Sequence, residues 1–189
     1  MPSLDDAFAA IDAANAKDPT SEDGQPAALL YGQRMSAEQE RLFPDASDVL
    51  RICCRGQHIE RWTLPREDYP MDRPGYLRWR QEQGRRHAER VAGIMADAGY
   101  PTEDQDRART LLTKQGIKRD AEVQALEDVI CFTFIRWYLG DFMAEIENQK
   151  LPRIIEKTAR KMSPEGRARA LEEFPMPDAL AQHFRDDPA

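Results

Sequence analysis

The chain has 189 residues, of which 32% are charged, and a formal net charge of −7 at pH 7. This length predicts one domain with a sizeable core, and the acidic balance argues against binding to nucleic acid or to a membrane surface. The sequence shows no leader pattern and no apolar run near the roughly 18 residues of a membrane span. With three cysteines that lack zinc spacing, we expect a soluble cytoplasmic protein.

Helical periodicity, capping residues and prolines predict a chain of helices. The predicted helices are, in chain order, 4–17, 27–43, 46–62, 76–98, 103–114, 121–148, 152–161 and 163–173. Ser3 and Asp120 are predicted caps, and three prolines make residues 63–75 a loop. Because no segment shows convincing strand alternation, we predict an all-α, single-domain helical bundle over residues 1–175. The last helices form a C-terminal extension, and residues 176–189 form a tail.

Two adjacent carboxylates begin the most apolar run of the sequence. Glu127 and Asp128 precede Val129–Ile135, which is apolar almost all round and therefore predicts a central, buried helix. Buried carboxylates must be paired, hydrogen-bonded or bound to a metal, because an isolated buried charge is very costly. The pair therefore indicates a polar site inside the core.

Two of the three histidines also lie on predicted apolar stripes. His58 lines up with Leu50 and Cys54, and His87 with core positions of the fourth helix. Imidazoles and carboxylates are accepted ligands of divalent transition metals, and a metal-bound water becomes a nucleophile near neutral pH. We therefore expect His58, His87 and Asp128 to converge on one metal site. A metal-free network, in which an arginine pairs with the Glu-Asp pair, is the alternative.

Basic residues near these positions indicate an anionic ligand. Residues 51–90 contain ten arginines and no lysine, and arginine is the usual choice for bidentate recognition of phosphate or carboxylate. Arg61 and Arg80 are the candidates beside the histidines, and Lys114 and Lys118, which flank Gly116, are further candidates. Most of the other arginines are expected on solvated helix faces.

Several segments closely resemble an uncharacterised family, domain of unknown function 4202. They are RGQHIERW at 55–62, YPMDRPGYLRWR at 69–80, HAE at 87–89 and QALED at 124–128. The resemblance covers nearly the whole chain. It implies a shared fold but, for an uncharacterised family, no activity.

The order of two histidines followed by a Leu-Glu-Asp sequence looks more distantly like the HD superfamily of metal-dependent phosphohydrolases. That resemblance implies an all-α bundle in which His58 and Asp128 are metal ligands and His87 is the additional histidine of two-metal members. Ile59 stands where the aspartate of the family's His-Asp pair would be. The helix at 27–43 offers no histidine, so the implied ligand set is incomplete.

These observations give a leading hypothesis and two alternatives. The leading one is an HD-like hydrolase of a small phosphorylated or anionic substrate, with a divalent transition metal on His58, His87 and Asp128. Glu127 either supports a metal ligand or acts as general base, and the basic residues named above bind the substrate. The first alternative is a non-catalytic, anion-binding or regulatory helical module that has lost the metal site. The second is an HD-type oxygenase that uses iron. We expect a small anionic molecule as partner rather than nucleic acid or membrane.

Overall fold

α-Helices dominate the computed structural model of the chain, which describes residues 1–141 and 151–185. The described helices are α1 (Leu4–Asn15), α2 (Ala27–Leu42), α3 (Asp48–Arg55), α4 (Arg73–Asp97), α5 (Thr102–Leu112), α6 (Ala121–Thr133), α7 (Leu151–Lys161), α8 (Pro164–Glu173) and α9 (Asp178–Arg185). Strands β1 (Ser21–Glu22) and β2 (Gln25–Pro26) pair in antiparallel register. The predicted all-α class is confirmed. None of the described helices has the length and apolar character needed to cross a membrane.

The chain forms two compact units, Met1–Ile117 and Lys118–Ala189. In the N-terminal unit, α4 packs along α5, α3 packs against α2 and α5, and α1 contacts α2, α3 and α4. The fully buried side chains at its centre include Ile11, Met35, Ile52, Met95 and Leu111. In the C-terminal unit, α7 contacts α6 and α9, and α9 also contacts α8. Its buried core side chains include Leu126, Phe132, Ile155 and Met162.

The third helix ends earlier than the sequence predicts. The prediction that Leu50, Cys54, His58 and Arg61 share one helical face is therefore wrong beyond Cys54. α3 stops at Arg55, and Gly56 is its C-cap. A Cβ on Gly56 would lie 2.6 Å from a methyl group of Val91, so only glycine fits where the chain turns against α4. Glu60 then adopts a left-handed conformation with φ 51°. His58 therefore lies in a turn rather than on a helix.

The proline-containing loop is ordered by one arginine. Arg66 donates to the carbonyl oxygens of Tyr69 at 3.0 Å and Pro70 at 2.7 Å. Asp72 caps α4 by accepting from the backbone nitrogen of Gly75 at 2.7 Å. α4 therefore begins at Arg73, three residues before the predicted start, because its cap and proline lie inside the predicted loop.

The C-terminal part differs from the sequence prediction in two places. After α6 the chain continues as a π-helix, Phe134–Tyr138, and the predicted helical residues 142–148 lie outside the described residues. The prediction of a tail from residue 176 is wrong over α9, whose residues Leu180 and Phe184 are buried one helical turn apart. That spacing gives α9 an apolar face, which packs on α7 and α8. Residues 186–189 lie outside the described residues.

Candidate functional site

Two predicted site histidines lie side by side in the N-terminal unit. His58 lies in the turn after α3 and His87 in α4, and their ring centroids are 6.1 Å apart. The ring of Tyr31, from α2, stacks on His58 at 4.1 Å and 15°. The Tyr31 hydroxyl donates to Oε1 of Gln57 at 3.0 Å. Residues of α2, of α4 and of the turn after α3 thus surround the His58 ring, and Tyr31 was not among the predicted site residues.

Burial and neighbouring cations keep both imidazoles neutral. Burial is the main reason that the pKa of His58 lies well below its usual value, and Arg61, His87, Lys114 and Arg80 lower it further. Burial likewise lowers the pKa of His87 to about 3, with Arg61 also acting in this direction. At neutral pH each ring therefore carries one N–H and one lone pair.

The two predicted arginines contact aromatic rings instead of carboxylates. The guanidinium of Arg61 lies 4.7 Å from the ring centroid of Trp79, and that of Arg80 lies 5.8 Å from that of Tyr76. Neither arginine makes an ion pair within residues 1–141 and 151–185. Burial lowers the pKa of Arg61, which indicates that its charge is poorly solvated. We call His58, Arg61, Arg80 and Lys114 the His58 cluster.

A buried glutamine on α4 positions the turn that carries Arg61. Nε2 of Gln83 donates to the carbonyl oxygens of Arg61 at 2.9 Å and Leu64 at 3.0 Å. Nε1 of Trp79 donates to the same Leu64 oxygen at 2.9 Å. Gln83 is only 3% exposed, and sequence reasoning missed it because a lone glutamine in a polar helix has no distinguishing pattern.

In the C-terminal unit, Asp128 has local hydrogen-bond partners. Its carboxylate accepts from the backbone nitrogen of Ser163 at 2.8 Å, from the Ser163 hydroxyl at 2.5 Å and from Nε2 of Gln124 at 3.2 Å. The same hydroxyl accepts from the nitrogen of Gly166 and so caps α8. Burial raises the pKa of Asp128, although the hydrogen bonds from Ser163 and Gln124 oppose this. Asp128 therefore tethers the start of α8.

The motifs at 55–62 and 69–80 form the turn and the start of α4 around the His58 cluster. The family described as Domain of unknown function (DUF4202) matches residues 5–183. The chain belongs to the DUF4202 family. No curated protein and no solved structure matches it. The family resemblance inferred from these motifs is thereby confirmed.

The remaining predicted site residues of this DUF4202 protein lie in its C-terminal unit. Glu127 is 1% exposed on α6, and Lys118 is exposed in the turn before that helix, with φ 67°. Lys114 belongs to the N-terminal unit and also has a positive φ. The site proposed from sequence thus draws its residues from both units, and its roles stay a prediction.

The donor set of the N-terminal unit suits an anion better than a divalent cation. His58 and His87 offer neutral imidazole nitrogens, but the charged side chains that act on His58 are all cations. A second cation placed there would be repelled. Across the described residues, no group of three or more His, Cys, Asp or Glu side chains is placed to hold a metal.

Proposed function

We propose that this DUF4202 protein binds a small, multiply charged oxyanion, such as a phosphorylated metabolite, at the His58 cluster. One observation carries the proposal. Arg61, Arg80 and Lys114 all lie close enough to His58 to lower its pKa, and neither arginine has an ion-pair partner among the described residues. Gathering like charges destabilises a fold, and a bound anion relieves that repulsion.

The side chains present suit recognition of a phosphate group. Guanidinium groups donate two parallel hydrogen bonds to phosphate oxygens, and partial burial strengthens such charge-assisted bonds. Both the side chain and the backbone of Arg61 are held in place. Its guanidinium lies over the ring of Trp79, and its carbonyl oxygen accepts a hydrogen bond from Gln83. A cation fixed in this way loses little conformational freedom when it binds a ligand.

Isothermal titration calorimetry at low ionic strength tests this proposal, with inorganic phosphate and pyrophosphate as probes. We expect Arg61→Gln and Arg80→Gln each to weaken binding about tenfold or more, which corresponds to the roughly 1.4 kcal/mol or more of a charge-assisted contact. Arg78→Gln is the matched control, since Arg78, like Arg80, is an exposed arginine of α4. It should leave the affinity unchanged. Equal losses in all three variants, or no binding at all, would refute the proposal.

The second candidate function is metal-dependent hydrolysis of a phosphorylated substrate, by an HD-like domain. It is supported by Nε2 of His87, a buried imidazole nitrogen that has no hydrogen-bond partner among residues 1–141 and 151–185. His58, His87 and Asp128 would hold the metal, and Glu127 would serve as general base. A bound divalent metal would acidify a water molecule. An iron oxygenase built on the same ligands is a third reading.

Metal analysis separates these candidates. The purified protein should be assayed for zinc, manganese and iron, and then titrated with each metal after chelation. Binding of one equivalent that is lost in both His87→Asn and Asp128→Asn would favour the hydrolase, and release of inorganic phosphate from a phosphate monoester would establish it. Uptake of oxygen by the iron form would favour the oxygenase. Anion binding without metal uptake would favour the non-catalytic anion-binding module.

A further inference from the structure

An exposed apolar patch lies where the proline-containing loop enters α4. Of the five large apolar side chains that are exposed among residues 1–141 and 151–185, three lie within residues 71–77. They are Met71, Tyr76 and Leu77, with exposed fractions of 76%, 42% and 55%. Single exposed apolar residues are ordinary, but a group of them marks an interaction site. This group therefore indicates a surface that another molecule covers.

An arginine without a counter-ion lies on the same surface. Arg73 stands three and four residues before Tyr76 and Leu77, so the three side chains share one face of α4. The side chain of Arg73 makes no hydrogen bond and no ion pair within the part of the chain that the structure describes. Arg85, further along the helix, is in contrast paired with Glu82. The exposed face thus offers both apolar area and a guanidinium that can bind a carboxylate.

The composition of this region matches a protein interface. Residues 71–80 contain three arginines, one aspartate and no lysine, in a chain whose net charge is −7. The aspartate, Asp72, is engaged as the cap of α4 through the backbone nitrogen of Gly75. Protein interfaces are enriched in tyrosine, methionine and arginine and depleted in lysine, whereas an anionic membrane would repel the chain as a whole. The local positive charge therefore favours an acidic protein partner.

The surface is ordered without a partner. Arg66 donates to the carbonyl oxygens of Tyr69 and Pro70 and so fixes the loop before Met71. On the opposite side of α4, Nε1 of Trp79 donates to the carbonyl oxygen of residue 64 and anchors the helix to the preceding turn. A preordered surface loses little backbone freedom when it binds.

We propose that Met71, Arg73, Tyr76 and Leu77, which we call the α4 entry surface, bind an acidic segment of another protein that carries an apolar anchor residue. The anchor covers Tyr76 and Leu77, and a carboxylate of the segment accepts two hydrogen bonds from Arg73. Burial of the anchor excludes water from this ion pair and strengthens it. None of the four residues belongs to the His58 cluster, so this surface is independent of the anion proposed there.

A phage-displayed library of random dodecapeptides, selected on the immobilised chain, tests the proposal. Selection should enrich peptides in which acidic residues flank a leucine or an aromatic residue. In fluorescence anisotropy titrations, labelled copies of these peptides should bind wild type more weakly as the salt concentration rises, because salt screens the attraction between carboxylate and arginine. Enrichment of peptides without acidic residues, or no enrichment above the bare support, overturns the proposal.

Variants locate the binding surface. Leu77→Ser and Arg73→Gln should each weaken peptide binding about tenfold or more, whereas Arg153→Gln, at an exposed arginine of α7, should leave it unchanged. Because Leu77 and Arg73 are exposed, both variants should keep the circular dichroism spectrum and the urea midpoint of wild type. Peptides that bind both variants as tightly as wild type overturn the proposal.

Two other occupants of the surface are tested directly. Co-sedimentation with vesicles that contain phosphatidylglycerol reports membrane binding, and sedimentation equilibrium reports self-association. We expect neither measurement to depend on Leu77. Vesicle binding that Leu77→Ser abolishes would overturn the proposal in favour of a membrane surface, and self-association that it abolishes would do so in favour of a second copy of this chain.

Discussion

Acidification from pH 7 to pH 5 should destabilise the N-terminal unit through His87. The pKa of this ring is about 3 in the folded chain, compared with roughly 6.5 in an unfolded one. As the pH falls below about 6.5, the unfolded state takes up a proton that the folded state does not. The free energy of unfolding therefore decreases on acidification, and this loss stops only below about pH 3.

The magnitude follows from the two pKa values. Between pH 7 and pH 5 the linkage amounts to about 2 kcal/mol, and the full span from pH 7 to pH 3 amounts to about 4 kcal/mol. The first figure changes little as long as the folded pKa stays below about 4. The pKa of His58 is lowered in the same direction, so the observed loss should be at least as large as the His87 share.

Urea unfolding followed by far-ultraviolet circular dichroism at several pH values measures this loss. His87→Asn is the informative comparison, because asparagine is polar and does not titrate. The variant should be less stable than wild type at pH 7 but should lose about 2 kcal/mol less between pH 7 and pH 5. Parallel pH profiles for the two proteins would show that His87 titrates alike in both states and would refute the reasoning.

Two further substitutions test local packing. Asp128→Ala should lower the free energy of unfolding by about 2 kcal/mol in urea titrations, because it leaves the half-buried nitrogen and hydroxyl of Ser163 without their acceptor; a loss below about 0.5 kcal/mol, the range of a surface change, would contradict the tether. Gly75→Ala should lower the free energy of unfolding by about 1 to 3 kcal/mol, since the new Cβ would clash with the carbonyl oxygen of Pro70. Gly93→Ala, on the same helix with open space around its Cβ, should instead stabilise by about 0.5 to 1 kcal/mol. Equal effects of the two glycine changes would show that the close contact is absent.

Local signals were sufficient to predict most helix starts. Ser3 and Asp120 each accept a hydrogen bond from the first turn of a helix, as their positions in the sequence predicted. The end of the third helix was predicted wrongly because the apolar spacing continues past Gly56 and outweighed the glycine as a stop signal. The close approach of Val91, which makes glycine necessary there, is a tertiary contact that the spacing does not show.

The sequence correctly predicted that His58 and Arg61 lie close together, but the structural cause differs from the predicted one. A continuous helix would have placed them on one face. Instead, they lie in a turn that Gln83 holds against α4 from about 20 residues away. Tyr31, which stacks on His58, is separated from it by a similar stretch of chain. Such contacts depend on how helices pack, and helical periodicity carries no information about that packing.

Asp128 shows why a buried carboxylate alone does not identify chemistry. Its position in an apolar helix correctly indicated that it needs partners. The structure supplies three hydrogen-bond donors, two of them on Ser163, 35 residues further along the chain. A carboxylate has about four lone-pair positions, so the donors leave little capacity for a metal unless Ser163 releases it. Metal ligation by Asp128 would therefore have to weaken the cap of α8, and a metal that binds there should increase hydrogen exchange at the backbone amide of Gly166.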